Sequence, residues 1–436
     1  MKDSLGRLPT EPVDRFTRAF TQFVRVEATA GAFLLFCTVI ALAVSNSPWA
    51  ESFLAFWETK AGFQWGGLEI TRSLKHWVND GLLTIFFFVV ALELKREVVL
   101  GELKNPRTVG LSVAAALGGM ALPAGIFLLV EGGGKAASGW GTVMATDTAF
   151  MIGGLAVLGS RIPQSLRLFL LSLAIFDDIG AILVVAIGYG GALQWAPLAM
   201  TGLGLLLVFA MARVGIRSIP MYFVMGILVW FALDASGIHP TLAGVMLGLM
   251  TPARSWVSDN RLHAILNRVV AYPPGDHWSG DTLDRHDLRR ASIAAREALS
   301  PVERLEMSLH PWVAYLIVPV FALANAGVQI SSVSFDLDLV AAILLGFVLG
   351  KPIGVLLFSY VAVRLHLAAR PPDLSWKVLT AGAMLTGIGF TMALFIAELA
   401  FGPDLLNSAK VGILGASIIA AAGGILSLVS LTSKEE

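Results

Sequence analysis

Two adjacent aspartates, Asp177 and Asp178, stand at the centre of a 26-residue apolar run, residues 164–189. As a helix that run is about 39 Å long at ~1.5 Å per residue, enough to cross the roughly 30 Å hydrocarbon core of a bilayer. The pair then falls near mid-membrane, where each carboxylate costs about 2.5–3.5 kcal/mol. Architecture alone rarely tolerates that, so an intramembrane acidic pair points to an ion or proton path.

The rest of the chain agrees with a membrane fold. It is 56% hydrophobic and 14% charged, against about 25% charged in a soluble domain. About twelve spans follow from the apolar runs, at residues 28–45, 77–98, 108–130, 141–158, 164–189, 196–214, 219–236, 239–252, 310–330, 337–361, 376–399 and 408–431. The expected fold is an all-α polytopic transporter domain covering 1–436. Of the 31 Lys and Arg, 25 lie in one set of loops and in the tails, five lie on the opposite side, and Lys351 lies inside a span. That bias places both termini in the cytoplasm and supports an even number of spans. The first 27 residues lack the apolar core and cleavage site of a signal peptide, so the first span is expected to remain uncleaved. A formal net charge of zero gives no electrostatic footprint for nucleic acid. The one cysteine, Cys37, excludes an internal disulfide and reads as a small core residue.

Two segments interrupt the apolar pattern. Residues 51–72 hold Gly66-Gly67 between β-prone residues, a signal for an external hairpin. Residues 253–305 read as a long polar cytoplasmic loop. Within it, Ser300-Pro-Val-Glu303 is a capping box with Pro at the first helical position, so a helix starts there.

The ionisable residues inside the spans are Asp80, Glu93, Asp147, Asp177, Asp178, Asp234, Lys351 and Glu398. Glu93, Asp234 and Glu398 fall near span ends, where interfacial solvation is expected. Asp80 can line an outer mouth or sit among headgroups. For Asp147, Asp177, Asp178 and Lys351 the alternative to function is a buried ion-pair network, but three acids against one base leave negative charge that invites a cation. The fourth span carries Thr146-Asp-Thr148 followed by Gly153-Gly154. The eleventh carries Gly382 and then Thr386-Gly-Ile-Gly-Phe-Thr391. These residues are poor helix formers, so both spans read as broken helices, tolerated at membrane depth only where backbone lines a cavity or is buried in protein. Spans 3–5 and 10–12 then pair as inverted repeats. At a crossing of broken helices, Asp147 is suited to face helix N-termini and Lys351 to face C-termini.

Several stretches together resemble the NhaA family of bacterial sodium/proton antiporters over nearly the whole chain. They are Trp77-Val-Asn-Asp80, Ala91-Leu-Glu-Leu-Lys-Arg-Glu97, Ala145-Thr-Asp-Thr-Ala-Phe150, Ala174-Ile-Phe-Asp-Asp-Ile-Gly-Ala181, Ser236-Gly-Ile-His-Pro-Thr-Leu-Ala-Gly244, His310-Pro-Trp-Val-Ala-Tyr315, Phe321-Ala-Leu-Ala-Asn-Ala-Gly327, Gly350-Lys-Pro352 and Gly387-Ile-Gly-Phe-Thr-Met392. The resemblance implies a bacterial inner-membrane protein without cofactor or enzymatic activity. It implies that Asp177 and Asp178 bind sodium or lithium and carry protons, with Thr146 and Asp147 at the broken-helix crossing and Lys351 as charge partner. It implies Asp80 in an outer funnel, a pH response at Glu93, Glu97, His239, Glu306 and His310, and a homodimer joined through 51–72. Met307 and the length of 253–305 depart from the family pattern.

Adjacent helical residues point about 100° apart at ~3.6 residues per turn, so the two aspartates can bracket a narrow cavity. A hard cation takes oxygen ligands, which two carboxylates, the Thr146 hydroxyl, backbone carbonyls and water supply. Protons and cation then compete for the same oxygens. Two protons entering for one sodium leaving makes the exchange electrogenic, and Lys351 can carry one of those protons. The rival readings are a sodium-coupled solute symporter, which needs a larger organic pocket, and an intramembrane aspartyl protease. The Gly-x-Gly-Asp motif common in such proteases is absent.

Overall fold

The computed structural model describes residues 27–65, 68–101, 106–158, 162–216, 218–272, 283–329 and 335–432. The Gly66-Gly67 turn, part of the 253–305 segment and the N-terminal tail lie outside the described residues. Helix dominates, and each expected span overlaps at least one helix. Six helices are long and apolar enough to cross a membrane, and up to eight spans result if each of two bent helix pairs counts as one. The chain is therefore a multi-pass helical membrane protein. The remaining expected spans are interrupted or short; residues 239–252, for example, contain only the nine-residue helix Leu242–Met250.

The chain divides into two compact units. The first comprises the residues up to Leu83, Pro106–Gly190 and those from Pro311 onward. Its most extensive contact is between Pro106–Glu131 and Lys351–Arg364, and glycine makes that crossing feasible. A Cβ on Gly354 would stand 2.1 Å from the Gly118 carbonyl oxygen, and one on Gly118 would stand 2.2 Å from the Gly354 carbonyl oxygen. Small residues let backbones approach where lipid provides no hydrophobic drive. Leu166, Leu170, Leu173, Ala174, Val355, Leu379 and Leu385 are fully or nearly fully buried in the core beside this crossing. The helix carrying Lys351 runs from Leu337 to Arg364, with a widened turn at Gly346–Gly350 directly before the lysine. Such turns recur at functional sites.

Cys37 is buried in this unit, as a small core residue should be. At one end, Ala50–Glu58 bends 115° away from Thr29–Ser45. Strand β1 (Lys60–Trp65) then pairs antiparallel with β2 (Leu68–Ser73), with Lys60 opposite Ser73 and Trp65 opposite Leu68. The sheet is thus confined to 60–73. The first part of the expected hairpin is helical, because Ala50-Glu-Ser-Phe-Leu-Ala-Phe has no turn former and the β-branched residues come later.

The second unit comprises Thr84–Asn105 and Gly191–His310. The segment read as a polar loop contains two amphipathic helices, Asp259–Val270 and Leu283–Glu297, which pack against each other. The capping box forms as its residues dictate. The Ser300 backbone N–H donates to Glu303 Oε2 at 3.0 Å, and the Glu303 N–H donates back to Ser300 Oγ at 3.3 Å. The following helix continues through Pro311 as Pro301–Asn325, so the span expected at 310–330 begins and ends earlier. A widened turn, Val313–Ile317, begins two residues after that proline.

Candidate functional site

The two interrupted spans touch each other at their breaks. In the first, a tight 3-10 turn, Ala137–Val143, gives way to extended chain before Thr148–Leu158. In the second, Trp376–Leu385 and Phe390–Ala400 meet at a 49° bend. The Asp147 backbone N–H donates to the Ile388 carbonyl at 2.6 Å, so unwound backbone satisfies unwound backbone. Gly389 lets this break pack closely on two sides: a Cβ there would stand 2.3 Å from the Phe347 ring and 3.0 Å from the Ala145 carbonyl oxygen of the other break.

Asp147 caps two helices at once. Its Oδ1 accepts from the Phe150 backbone N–H at 3.1 Å, closing the first turn of its own helix. Its Oδ2 accepts from the Thr391 backbone N–H at 2.8 Å and the Thr391 hydroxyl at 2.6 Å, in the first turn of the facing half-helix. Two helix N-termini, each with roughly half a positive charge, share one carboxylate that is 1% exposed.

The threonines beside it address the aspartate pair on Gln164–Gly188. Thr146 Oγ1 donates to Asp177 Oδ2 at 2.5 Å and lies 3.1 Å from the Thr386 carbonyl oxygen. Thr148 Oγ1 donates to Asp178 Oδ2 at 3.4 Å. Lys351 is fully buried. Its ammonium lies 2.7 Å from Asp177 Oδ2 and also donates to Thr146 Oγ1. Lys351 thus pairs with the full charge of Asp177 and reaches the Thr386 carbonyl region only through Thr146 Oγ1. Asp177 Oδ1 is buried and has no hydrogen-bond partner among the described residues. The sequence-predicted set Thr146, Asp147, Asp177, Asp178 and Lys351 therefore converges on one buried locus. It offers hydroxyl, carboxylate and carbonyl oxygens, the donor set of a hard monovalent cation.

Residues 21–428 match the family model described as Na+/H+ antiporter 1. The chain belongs to this family. It is 65% identical over 433 residues to the Na(+)/H(+) antiporter NhaA of Rhizobium meliloti, covering 99% of each chain. It is 56% identical over 430 residues to Na(+)/H(+) antiporter NhaA 2 of Acidiphilium cryptum, covering 99% of this chain and 96% of the relative. Among solved structures, the sodium proton antiporter of Methanocaldococcus jannaschii at pH 8 superposes with a TM-score of 0.50 at 14% identity. That match covers 93% of this chain and 92% of the other, and it speaks for the fold alone.

The remaining residues expected from the Na+/H+ antiporter pattern separate by unit. Asp80 belongs to the first unit, on the widened turn Trp77–Leu82, with His76 Nδ1 at 3.2 Å. Glu93, Glu97, His239, Glu306 and His310 all belong to the second. There Arg96 joins Glu306 at 2.6 Å and Glu97 at 3.0 Å, and His239 Nδ1 lies 2.8 Å from Thr241 Oγ1.

Sequence reasoning missed four participants. Thr391 and Thr148 were visible only as poor helix formers; their hydroxyl contacts to carboxylates are long-range. Arg96 sits in a matched stretch, yet nothing local marks it as the hub of two carboxylates. Glu398, expected in interfacial solvent, is instead held by Lys75 and Lys410, each at 2.8 Å, with its side chain 12% exposed.

Proposed function

We propose that this chain performs the sodium/proton exchange of its family at Asp177 and Asp178, with Thr146 completing the oxygen set and Asp147 holding the two breaks together. The observation that carries the reading is the buried cluster itself. A lysine ammonium and a threonine hydroxyl occupy one oxygen of Asp177, the other oxygen is buried without a partner among the described residues, and unwound backbone adjoins both. Three buried carboxylates stand against one buried ammonium, an excess of negative charge that a cation or protons neutralise. Sodium, lithium and protons compete for these oxygens, and a site that reorients only when occupied exchanges them without a separate coupling device.

The Lys351–Asp177 pair bears on which groups carry protons. Sodium arriving at Asp177 competes with the lysine for the same oxygen, so it displaces the ammonium and favours loss of its proton. Lys351 and Asp178 then carry one proton each, and two charges enter for one that leaves. The inward-negative potential drives that electrogenic cycle with about 2.3 kcal/mol per net charge per 100 mV.

Around this site we place twelve spans. Spans 3–5 and 10–12 form inverted repeats, a pairing favoured by the two mutually contacting breaks and the close crossing of Pro106–Glu131 with Lys351–Arg364. The Lys and Arg bias supports cytoplasmic termini in a bacterial inner membrane. The Asp80 carboxylate belongs to the outer approach, the Arg96 cluster with Glu93, His239 and His310 to the pH response, and the β1–β2 hairpin to a homodimer contact.

In proteoliposomes with an imposed sodium gradient, Asp177→Asn or Asp178→Asn abolishes proton movement while the protein still inserts. Normal exchange in either variant overturns the site assignment. An unchanged charge per cycle in Lys351→Ala overturns the lysine as a proton carrier. Exchange that requires an added organic solute favours the symporter reading instead.

A further inference from the structure

The transport cycle makes no use of the Lys75–Glu398–Lys410 cluster, which opens on a cavity of about 530 Å³. That size lies within the roughly 300–1,000 Å³ range of small-ligand clefts. Glu51, Leu54, Ala55 and Glu58 line one wall. They recur at i, i+3, i+4 and i+7, so a single face of Ala50–Glu58 looks into the cavity. Lys75, Lys410, Ala324, Gly327 and Gln329, from other segments of the chain, also line it. Three polar features converge here. Two lysines share one carboxylate, so one positive charge exceeds what Glu398 neutralises. Trp57 lines the cavity, and its indole N–H is buried without a hydrogen-bond partner among the described residues. Glu51 and Glu58 add two carboxylates to the lining of the same cavity.

The setting is that of a bilayer surface. Lys75 and Lys410 are two of the five cations on the Lys/Arg-poor side of the sequence. The Ala50–Glu58 helix turns 115° from the preceding span, and Trp49 and Phe56 are 72% and 55% exposed. An amphipathic helix with exposed aromatic residues beside span ends is suited to the headgroup plane.

We propose that this cavity binds the headgroup of a phosphoethanolamine lipid. The phosphate takes charge-assisted hydrogen bonds from Lys75 and Lys410 and the Trp57 indole N–H. The primary ammonium donates to Glu51 and Glu58, and the acyl chains leave beside Phe56. An anionic glycerol headgroup offers the two glutamates only neutral hydroxyls and no positive charge, and a choline headgroup carries no N–H to donate. The pocket therefore selects a zwitterion that still has ammonium protons.

The test uses the purified full-length protein reconstituted in nanodiscs of a neutral host lipid, with bound lipid counted by native mass spectrometry. Phosphatidylethanolamine, phosphatidylcholine and phosphatidylglycerol are titrated separately, with inorganic phosphate as a competitor. One phosphatidylethanolamine per chain is retained at least about tenfold more tightly than the other two, as loss of a charged hydrogen bond implies. Glu51→Gln with Glu58→Gln removes that preference, and Trp57→Phe weakens retention. The glutamates are exposed, so their substitution leaves the Glu398 ion pairs and the fold intact, which an unchanged thermal midpoint verifies. Equal retention of the three lipids overturns the proposal. So does wild-type preference in the double variant, or displacement by millimolar phosphate, which would make the site a reader of phosphate alone.

Discussion

Lys351→Met tests whether the buried ion pair is a functional charge arrangement with a structural liability. The substitution keeps an unbranched side chain one heavy atom shorter and removes its charge. Lys351 is fully buried, its ammonium is 2.7 Å from Asp177 Oδ2, and Asp177 Oδ1 already lacks a partner among the described residues. With the lysine gone, only the Thr146 hydroxyl still holds that carboxylate. Removing one partner of a buried pair costs about 3–5 kcal/mol, whereas replacing both with groups of similar volume is often neutral. The second variant is Asp177→Asn in the Lys351→Met background, which retains an acceptor for Thr146 and removes the stranded charge. Thermal unfolding in one detergent at one scan rate should show the single variant melting about 3–10 °C lower. The double variant should recover most of that loss, with a coupling energy of about 2–4 kcal/mol. Additive losses, with the double variant less stable than either single one, refute the pairing energetics.

Three further outcomes test other parts of the fold. Gly354→Ala places a Cβ 2.1 Å from the Gly118 carbonyl oxygen and should cost about 1–3 kcal/mol or more. Gly125→Ala on the partner helix meets nothing within 4 Å and should be neutral or mildly stabilising; equal thermal midpoints for the two refute the close crossing. Replacing residues 60–73 with a short linker should lower the dimer fraction measured by light scattering in detergent, and an undiminished dimer refutes the hairpin contact. Burial pushes the Glu297 carboxyl up, but Arg304 and Arg296 outweigh it and hold it below its ordinary value of 4.5. A depressed folded-state value means the bridge contributes stability above the ordinary value and loses it as pH falls through the folded one. The hydrogen-exchange protection factors of Leu283–Glu297, corrected for the intrinsic pH dependence, should therefore fall on acidification below pH 4.5, and should do so less in Glu297→Gln; equal acid responses refute this.

Much of this architecture was legible because the membrane penalises specific residues. A charge or a glycine inside a long apolar run is conspicuous, so Asp147, Asp177, Asp178, Lys351 and both interruptions could be found locally. What the breaks touch could not, since Thr391 meets Asp147 across 244 positions and Lys351 meets Asp177 across 174. Periodicity was overlooked in 253–305. Leu262, Ile265, Leu266 and Val269 repeat at i, i+3, i+4 and i+7 within Asp259–Val270, but polar average composition obscured an amphipathic helix. Glu398 misled in another way: a carboxylate near a span end is equally consistent with solvent and with a lysine from a distant helix. Only the fold brings Lys75 and Lys410 to it.

In the proposed cycle, the tripeptide Thr146-Asp147-Thr148 would connect ion occupancy to the backbone. Its central carboxylate holds the facing half-helix through Thr391, while its outer hydroxyls reach Asp177 and Asp178. Thr146 also lies against the Thr386 carbonyl at the end of the other half-helix. A change of ligand on Asp177 therefore alters a hydroxyl that both breaks share, because that oxygen also receives Lys351. Unwound backbone has fewer internal hydrogen bonds to resist such a change than a continuous helix has. A small displacement of the Thr146 side chain can then tilt two half-helices, since each is anchored at the crossing by one or two hydrogen bonds. In the proposed exchange, the location of the breaks beside the acidic pair would supply the coupling between occupancy and reorientation, and Gly389, where a Cβ would stand 3.0 Å from the Ala145 carbonyl oxygen, allows their close approach.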